Sequence, residues 1–284
     1  MTEFKPQTLD CAGNILDLGA PHVMGILNVT PDSFSDGGSF VTVDQARNRA
    51  LEMISEGASI IDVGGESTRP GAQPVPVSEE LDRVIPVIEA VAAETTAPIS
   101  VDTSKPEVMA EAVSAGASII NDVNALREEG ALRVAAELNV PICIMHMKGR
   151  PRTMQEQPSY ENVVSEVVNY LNERVDACVA AGIQREKILI DPGFGFGKLL
   201  EHNLSLLHNL HMFDAIKLPV VVGVSRKSMI GQILDKSLED RLYGSIALAA
   251  VAVLNGAAII RAHDVKATYD AIRVASAVIH AGNI

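Results

Sequence analysis

The chain has 284 residues and carries 23 Lys and Arg against 36 Asp and Glu, a formal net charge of −13. Nucleic-acid backbones and anionic membrane surfaces both call for a basic face, so neither is an expected partner, whereas a small anion held by a few focused cations is compatible. Apolar residues at 47% and charged residues at 21% describe a globular chain with a sizeable core rather than a disordered one.

In chain order, residues 1–20 come first. Ala12-Gly13-Asn14 lies between two mildly apolar stretches and reads as a hairpin turn. Short Val- and Ile-rich runs then recur at 23–27, 60–63, 99–101, 119–120, 142–145, 188–190, 220–224 and 258–260. They do not alternate with polar residues, which is the pattern of parallel strands buried on both sides. Helical periodicity fills the gaps. Val43, Ala46, Ala50, Met53 and Ile54 share a face, Thr42 with Gln45 forms a capping box, and Gly57 is the stop. A second stripe runs from Leu81 to Ala92 after Ser78; Ser104 and Glu107 frame a third helix start that ends at Gly116. Further helices are expected at 131–138, 161–181, 203–213, 238–254 and 265–280.

Strand then helix, eight times over, is the pattern of a (β/α)8 TIM barrel. The expectation is a single domain, with residues 1–20 as a hairpin plugging the barrel bottom and 21–284 as the barrel. The strings at 57–61, 116–120 and 256–260 (GASII, GASII, GAAII) echo one another as helix-to-strand turns. A doubly wound open sheet is the competing architecture.

The three cysteines, Cys11, Cys143 and Cys178, are odd in number and widely spaced. Neither a disulfide framework nor a zinc knuckle is suggested, and a reduced, cytoplasmic setting is expected. Residues 1–10 are too polar for a signal peptide, and no apolar stretch approaches the roughly 18 residues a membrane span needs.

Barrels carry their chemistry at the C-terminal ends of the strands. Here those ends offer Asn28, the 64–71 loop, Asp102, Asn121-Asp122, His146, Asp191, the 225–228 loop, and Arg261 with His263. Asp62 reads as a structural hydrogen-bond partner; Asp122 and His146 read equally well as structural or functional. Asp102, Asn121 and Asp191 converging in one mouth would accept from a ligand rich in N–H donors. A metal cage competes, but His and carboxylate residues at ligand spacing are missing. Gly193-Phe194-Gly195 follows the sixth run, not the first, and Pro192 and Leu199 break a phosphate-loop pattern, so nucleotide readings fail. Arg69, Lys227, Arg261 and His263 form a cationic group. Arg261 and His263, after the last strand, are placed to hold an anion.

The strings 24–38 (MGILNVTPDSFSDGG), 64–70 (GGESTRP), 102–106 (DTSKP), 191–198 (DPGFGFGK), 225–228 (SRKS) and 261–264 (RAHD) closely resemble the motifs of the dihydropteroate synthase family, of its bacterial, monofunctional type. The resemblance spans about residues 20–270. It implies condensation of a 7,8-dihydropterin carrying a 6-hydroxymethyl diphosphate with 4-aminobenzoate, in folate synthesis, with sulfonamides competing for the aminobenzoate site. It implies Asp102, Asn121, Asp191 and Lys227 as the polar pterin contacts, with Met145 and Phe196 as walls. Asn28, Thr68, Arg261 and His263 would hold the diphosphate, with Mg²⁺ partly on Asn28. The resemblance implies Asn28, Lys227, Arg261 and His263 as the catalytic set. Phe34, Thr68, Arg69, Pro70 and Ser228 would line the aminobenzoate pocket, and the loops at 30–40 and 68–75 would close as lids. A homodimer is implied, with the apolar late helices at 246–254 and 271–279 as its surface. Two alternatives stay open: a pterin-binding methyltransferase domain and a non-catalytic pterin-binding paralogue.

Overall fold

A computed structural model describes residues 8–30, 42–67, 71–149, 154 and 158–281. The chain begins with an antiparallel hairpin of β1 (Thr8–Cys11) and β2 (Asn14–Asp17). Its two turn residues, Ala12 (φ 53°) and Gly13 (φ 94°), are both left-handed, as a two-residue hairpin loop requires. Leu9, Cys11 and Leu18 are buried together with Met24, Ile60, Ile119, Cys143, Leu189, Val221 and Ile259. Those partners stand near the starts of the barrel strands, so the hairpin covers the N-terminal end of the barrel interior.

The barrel strands are β3 (His22–Asn28), β4 (Ala58–Gly64), β5 (Ile99–Asp102), β6 (Ile119–Asp122), β7 (Ile142–Met145), β8 (Ile188–Asp191), β9 (Val221–Val222) and β10 (Ile259–Ala262). They form one 8-stranded sheet in the order β8-β7-β6-β5-β4-β3-β10-β9, with every pairing parallel. The ring closes through a parallel bridge between Ile190 and Val220, backed by Ile190 N donating to Pro219 O at 3.0 Å. Each residue of β5, β6, β7 and β8 is buried, which is why the apolar runs show no alternation.

The helices are α1 (Val43–Ser55), α2 (Val77–Ala92), α3 (Pro106–Ser114), α4 (Ala131–Leu138), α5 (Val163–Ala180), α6 (Leu200–His208), α7 (Ser228–Leu234), α8 (Leu242–Leu254) and α9 (Val265–Ala281). The capping box of α1 is present as read, with Gln45 N donating to Thr42 Oγ1 at 3.2 Å and Thr42 N to Gln45 Oε1 at 3.0 Å. Gly57, Gly116 and Gly256, at φ 108°, 119° and 101°, make the three echoed helix-to-strand turns.

Several local expectations are corrected. Ser104 does not cap α3; its hydroxyl donates to Asp122 instead, and α3 starts at Pro106, whose missing N–H costs nothing in the first turn. Ser78 lies inside the first turn of α2 rather than before it. The helix expected at 203–213 is α6 followed by a 3₁₀ segment, Leu210–Ile216. The helix expected at 238–254 starts at Leu242, and α7 precedes it, a short helix that periodicity over seven residues is too brief to reveal.

Candidate active site

The C-terminal ends of β3, β4, β5, β6, β8 and β10 bring one charged network together. Arg261 on β10 donates from Nε to Asp62 Oδ2 at 2.6 Å and from Nη2 to Asp102 Oδ2 at 2.7 Å. Asn121 Nδ2 donates to the same Asp62 oxygen at 3.1 Å. Asp62 is fully buried, and its Oδ1 has no hydrogen-bond partner among the described residues. The structural reading of Asp62 therefore holds: it is the hub that orients Asn121 and Arg261. Arg261, which the sequence places with His263 to hold an anion, is also paired to two carboxylates, and its Nη1 takes no protein partner among the described residues.

Burial pushes Asp102 up to about 7; Arg261 opposes the rise, and Asp62 adds to it. Burial also works against the charge of Arg261, but Asp62 and Asp102 more than offset it and hold the guanidinium above its ordinary value. Asn28 ends β3 beside Gly64. A Cβ built on Gly64 would lie 3.7 Å from Asn28 Oδ1 and 3.7 Å from Asp102 Oδ2, so this glycine separates the two side chains at the rim.

A second group sits across the mouth. Asp191, 8% exposed at the end of β8, accepts one hydrogen bond, from Gly193 N at 2.7 Å. Burial raises its carboxyl above the ordinary range, opposed chiefly by Lys227. Lys227 Nζ donates to Phe194 O and lies 4.7 Å over the Phe196 ring. Burial lowers this ammonium to about 8, with Asp191 raising it and Arg261 lowering it. Phe196 packs against Met145, Met147 and Met154, an apolar wall suited to a flat ring.

His263 follows β10, with its backbone N and its Nδ1 each 3.2 Å from Ser225 Oγ. Ser228 is exposed at the first turn of α7. Phe34, Thr68, Arg69 and Pro70 lie outside the described residues, as do 31–40 of the first expected lid loop and 68–70 of the second. Asp122 is structural. It receives Ser104 Oγ and the N–H groups of Asn124 and Leu126, both at 2.7 Å, and so shapes the turn after β6.

Sequence reasoning missed Lys198. It is 3% exposed, and its Nζ lies 2.8 Å from His146 Nδ1, 2.8 Å from Gly193 O and 3.0 Å from Phe196 O. His146 thereby resolves as structural, its imidazole held neutral by burial and by this ammonium, at about 2. The available signal was a lone lysine closing a turn with glycine at every second position.

Carboxylates and an amide beside two cations and an apolar wall, at the C-terminal mouth of a parallel barrel, suit an enzyme for a flat, N–H-rich ring bearing an anion. Family-level comparison gives the same class: the model described as "Pterin binding enzyme" matches residues 24–263. The dihydropteroate synthases of Escherichia coli K12 and Haemophilus influenzae are 58% and 53% identical, over 95% and 94% of this chain and 95% and 97% of theirs. A crystal structure of the Yersinia pestis dihydropteroate synthase in a sulfonamide drug complex superposes with a TM-score of 0.93 at 50% identity, covering 96% of this chain and 99% of that one. The Xanthomonas albilineans dihydropteroate synthase with 4-aminobenzoic acid gives 0.92 at 52% identity, covering 97% and 99%. The chain belongs to the dihydropteroate synthase family.

Proposed function

We propose that this barrel condenses (7,8-dihydropterin-6-yl)methyl diphosphate with 4-aminobenzoate, giving 7,8-dihydropteroate and diphosphate. The observation that carries the reading is Asp191. It is a buried carboxylate that accepts one hydrogen bond among the described residues, near the charge of Lys227 and paired in strand register with Met145 of the apolar wall. A pterin presents an amide N–H and an exocyclic amine side by side, and one carboxylate accepts both as a charge-assisted fork. Asp102 and Asn121 would read further ring positions, and Lys227 would donate to the ring carbonyl. The X. albilineans enzyme in complex with 7,8-dihydropteroate, 49% identical with a TM-score of 0.87, supports the product assignment.

In the reaction the bond between the exocyclic methylene carbon and the diphosphate oxygen breaks, and its electron pair leaves with diphosphate. The arylamine lone pair then bonds that carbon, and the amine loses a proton to solvent. Preorganised cations act where the leaving charge develops. Arg261, through its unpaired Nη1, and His263 would hold the diphosphate, with Asn28 and Thr68 completing its cradle. Phe34, Thr68, Arg69, Pro70 and Ser228 would receive the arylamine. An arylamine is neutral near pH 7, so the site needs no strong base.

The residues present fit a Mg²⁺ ion. Asn28 Oδ1 is a hard oxygen donor at the rim, and Mg²⁺ is commonly held by one or two protein oxygens together with substrate phosphates and water. When bound it would neutralise charge on the departing diphosphate.

We further propose that hairpin and barrel form one domain and that the chain works in the cytoplasm as a homodimer. No described helix is long and apolar enough to cross a membrane. On α8 and α9, Tyr243, Leu254, Val274 and Val278 are exposed large apolar residues, a surface a second copy would cover. Sedimentation equilibrium tests the dimer. The chemistry is tested by mixing both substrates: diphosphate and dihydropteroate should appear in equal amounts, and neither substrate alone should release diphosphate. Methyl transfer with no diphosphate would favour the methyltransferase alternative, and pterin binding without turnover the non-catalytic one.

A further inference from the structure

Lys198 is a buried amine whose charged form burial disfavours, pushing it well below the ordinary lysine range against the pull of Asp191, and among the described residues no carboxylate hydrogen-bonds it. Its Nζ lies 2.8 Å from His146 Nδ1, 3.3 Å from His146 O, 2.8 Å from Gly193 O and 3.0 Å from Phe196 O. When protonated the amine has three donors for these four acceptors, and His146 then accepts at Nδ1 with its own proton on Nε2. A buried polar group is costly unless it is hydrogen-bonded, and this cage supplies those bonds by tying Nζ to two separate segments.

The cage joins two segments, the end of β7 at His146 and the turn at 193–197. That turn carries left-handed backbone at Gly193, Gly195 and Gly197 (φ 71°, 78° and 64°). The alternation sends the Gly193 and Phe196 carbonyls inward to Lys198. Amides of the same turn point elsewhere, Gly193 N to Asp191 and Gly195 N to Asn203 Oδ1 at 2.7 Å. The approach to β7 is close: a Cβ on Gly193 would come 1.9 Å from His146 O, and one on Gly197 2.4 Å from Lys148 O.

This turn touches or carries three of the groups assigned to the pterin, Asp191, Lys227 and Phe196. Gly193 N fixes the Asp191 carboxylate, Phe194 O receives Lys227 Nζ, and the Phe196 ring lies beneath the same ammonium. We infer that Lys198 is a positioning residue. It pins the 193–197 turn to the end of β7 and thereby sets Asp191, Phe196 and Lys227 for the pterin, without touching substrate itself. The inference rests on the pterin assignment above.

The test is Lys198→Met, which keeps an unbranched stem and removes the amine, read by calorimetry with dihydropterin diphosphate and by steady-state kinetics. Losing these hydrogen bonds should weaken pterin diphosphate binding by about tenfold to a hundredfold. The KM for 4-aminobenzoate at saturating pterin should stay within about twofold, a split that general loss of structure would not produce. If Lys198→Met does not fold, His146→Gln replaces it. It removes the imidazole acceptor, leaves the three carbonyls, and should show the same split at smaller size. A folded variant that binds pterin diphosphate within twofold of wild type, or that loses both substrates equally, overturns the positioning role and leaves the pterin assignment standing. Failure of the wild-type chain to bind pterin diphosphate overturns both.

Discussion

Arg261 donates from Nε to Asp62 Oδ2 at 2.6 Å, joining β10 to β4 across 199 residues of chain. Asp62 has no exposed surface, and among the described residues Arg261 and Asn121 are the partners that support its charge. Asp62→Asn should therefore destabilise the fold by roughly 1.5–3 kcal/mol, the range for a hydrogen bond to a charged group, with Asp102 still holding Arg261. Urea denaturation monitored by circular dichroism measures it. A change below about 0.5 kcal/mol, the usual size for surface sites, would remove Asp62 as the hub.

Much of this site is legible in the sequence as positions. The strand-end polar residues stand where parallel-barrel logic puts them, because apolar runs and their successors are local features. The partners are not legible. Nothing local to Asp62 names Arg261, and nothing local to Ser104 names Asp122, since those pairs are made by barrel closure and by adjacent strand ends. Lys198 escaped because burial of a lysine follows from three glycine dihedral angles, which composition does not display. Strand β9 is legible only as a run: just Val221 and Val222 keep a ladder pairing, although the apolar stretch covers 220–224.

Glycine at 193 is required twice over, by its left-handed φ of 71° and by the 1.9 Å approach of a Cβ to His146 O. Gly193→Ala should cost about 2–5 kcal/mol, combining about 1–2 for the left-handed backbone with about 1–3 for overpacking. Thermal unfolding checks this, and a stability equal to wild type would contradict the described turn.

Two titrations bracket the working range. Burial raises Asp102 to about 7 and lowers Lys227 to about 8. If the pterin needs Asp102 ionised and Lys227 protonated, kcat/KM for the pterin diphosphate should be bell-shaped, with an acid limb near 7 and a basic limb near 8. Lys227→Met, assayed by its residual activity, should lose the basic limb. A wild-type profile flat from pH 6 to pH 9 would contradict both assignments.

The same carboxyl makes a stability prediction of fixed sign. Its pKa rises on folding, from 3.8 to about 7, so the native state binds more protons than the unfolded state between those values. Asp102 thus favours the fold at the acid end of that window, and its contribution falls as pH rises through it. Asp102→Asn should gain stability relative to wild type as pH rises from about 4 to about 7. A constant difference in unfolding free energy across that window would refute the raised value.

The division of the mouth into a pterin half and a diphosphate half is open to one calorimetric comparison. Arg261→Ala is a poor probe, because it strips Asp62 and Asp102 of their partner and should weaken bare pterin too, though the diphosphate more. His263 hydrogen-bonds Ser225 and pairs with neither Asp62 nor Asp102 in the carboxylate hub, so it is the cleaner choice. The measurement is the affinity of 6-hydroxymethyl-7,8-dihydropterin and of its diphosphate for wild type, Asp191→Asn and His263→Ala. Asp191→Asn should weaken both ligands by a similar factor, about tenfold or more for a lost charged acceptor, whereas His263→Ala should weaken only the diphosphate. Unchanged affinities in Asp191→Asn, or equal losses of both ligands in His263→Ala, would contradict that division.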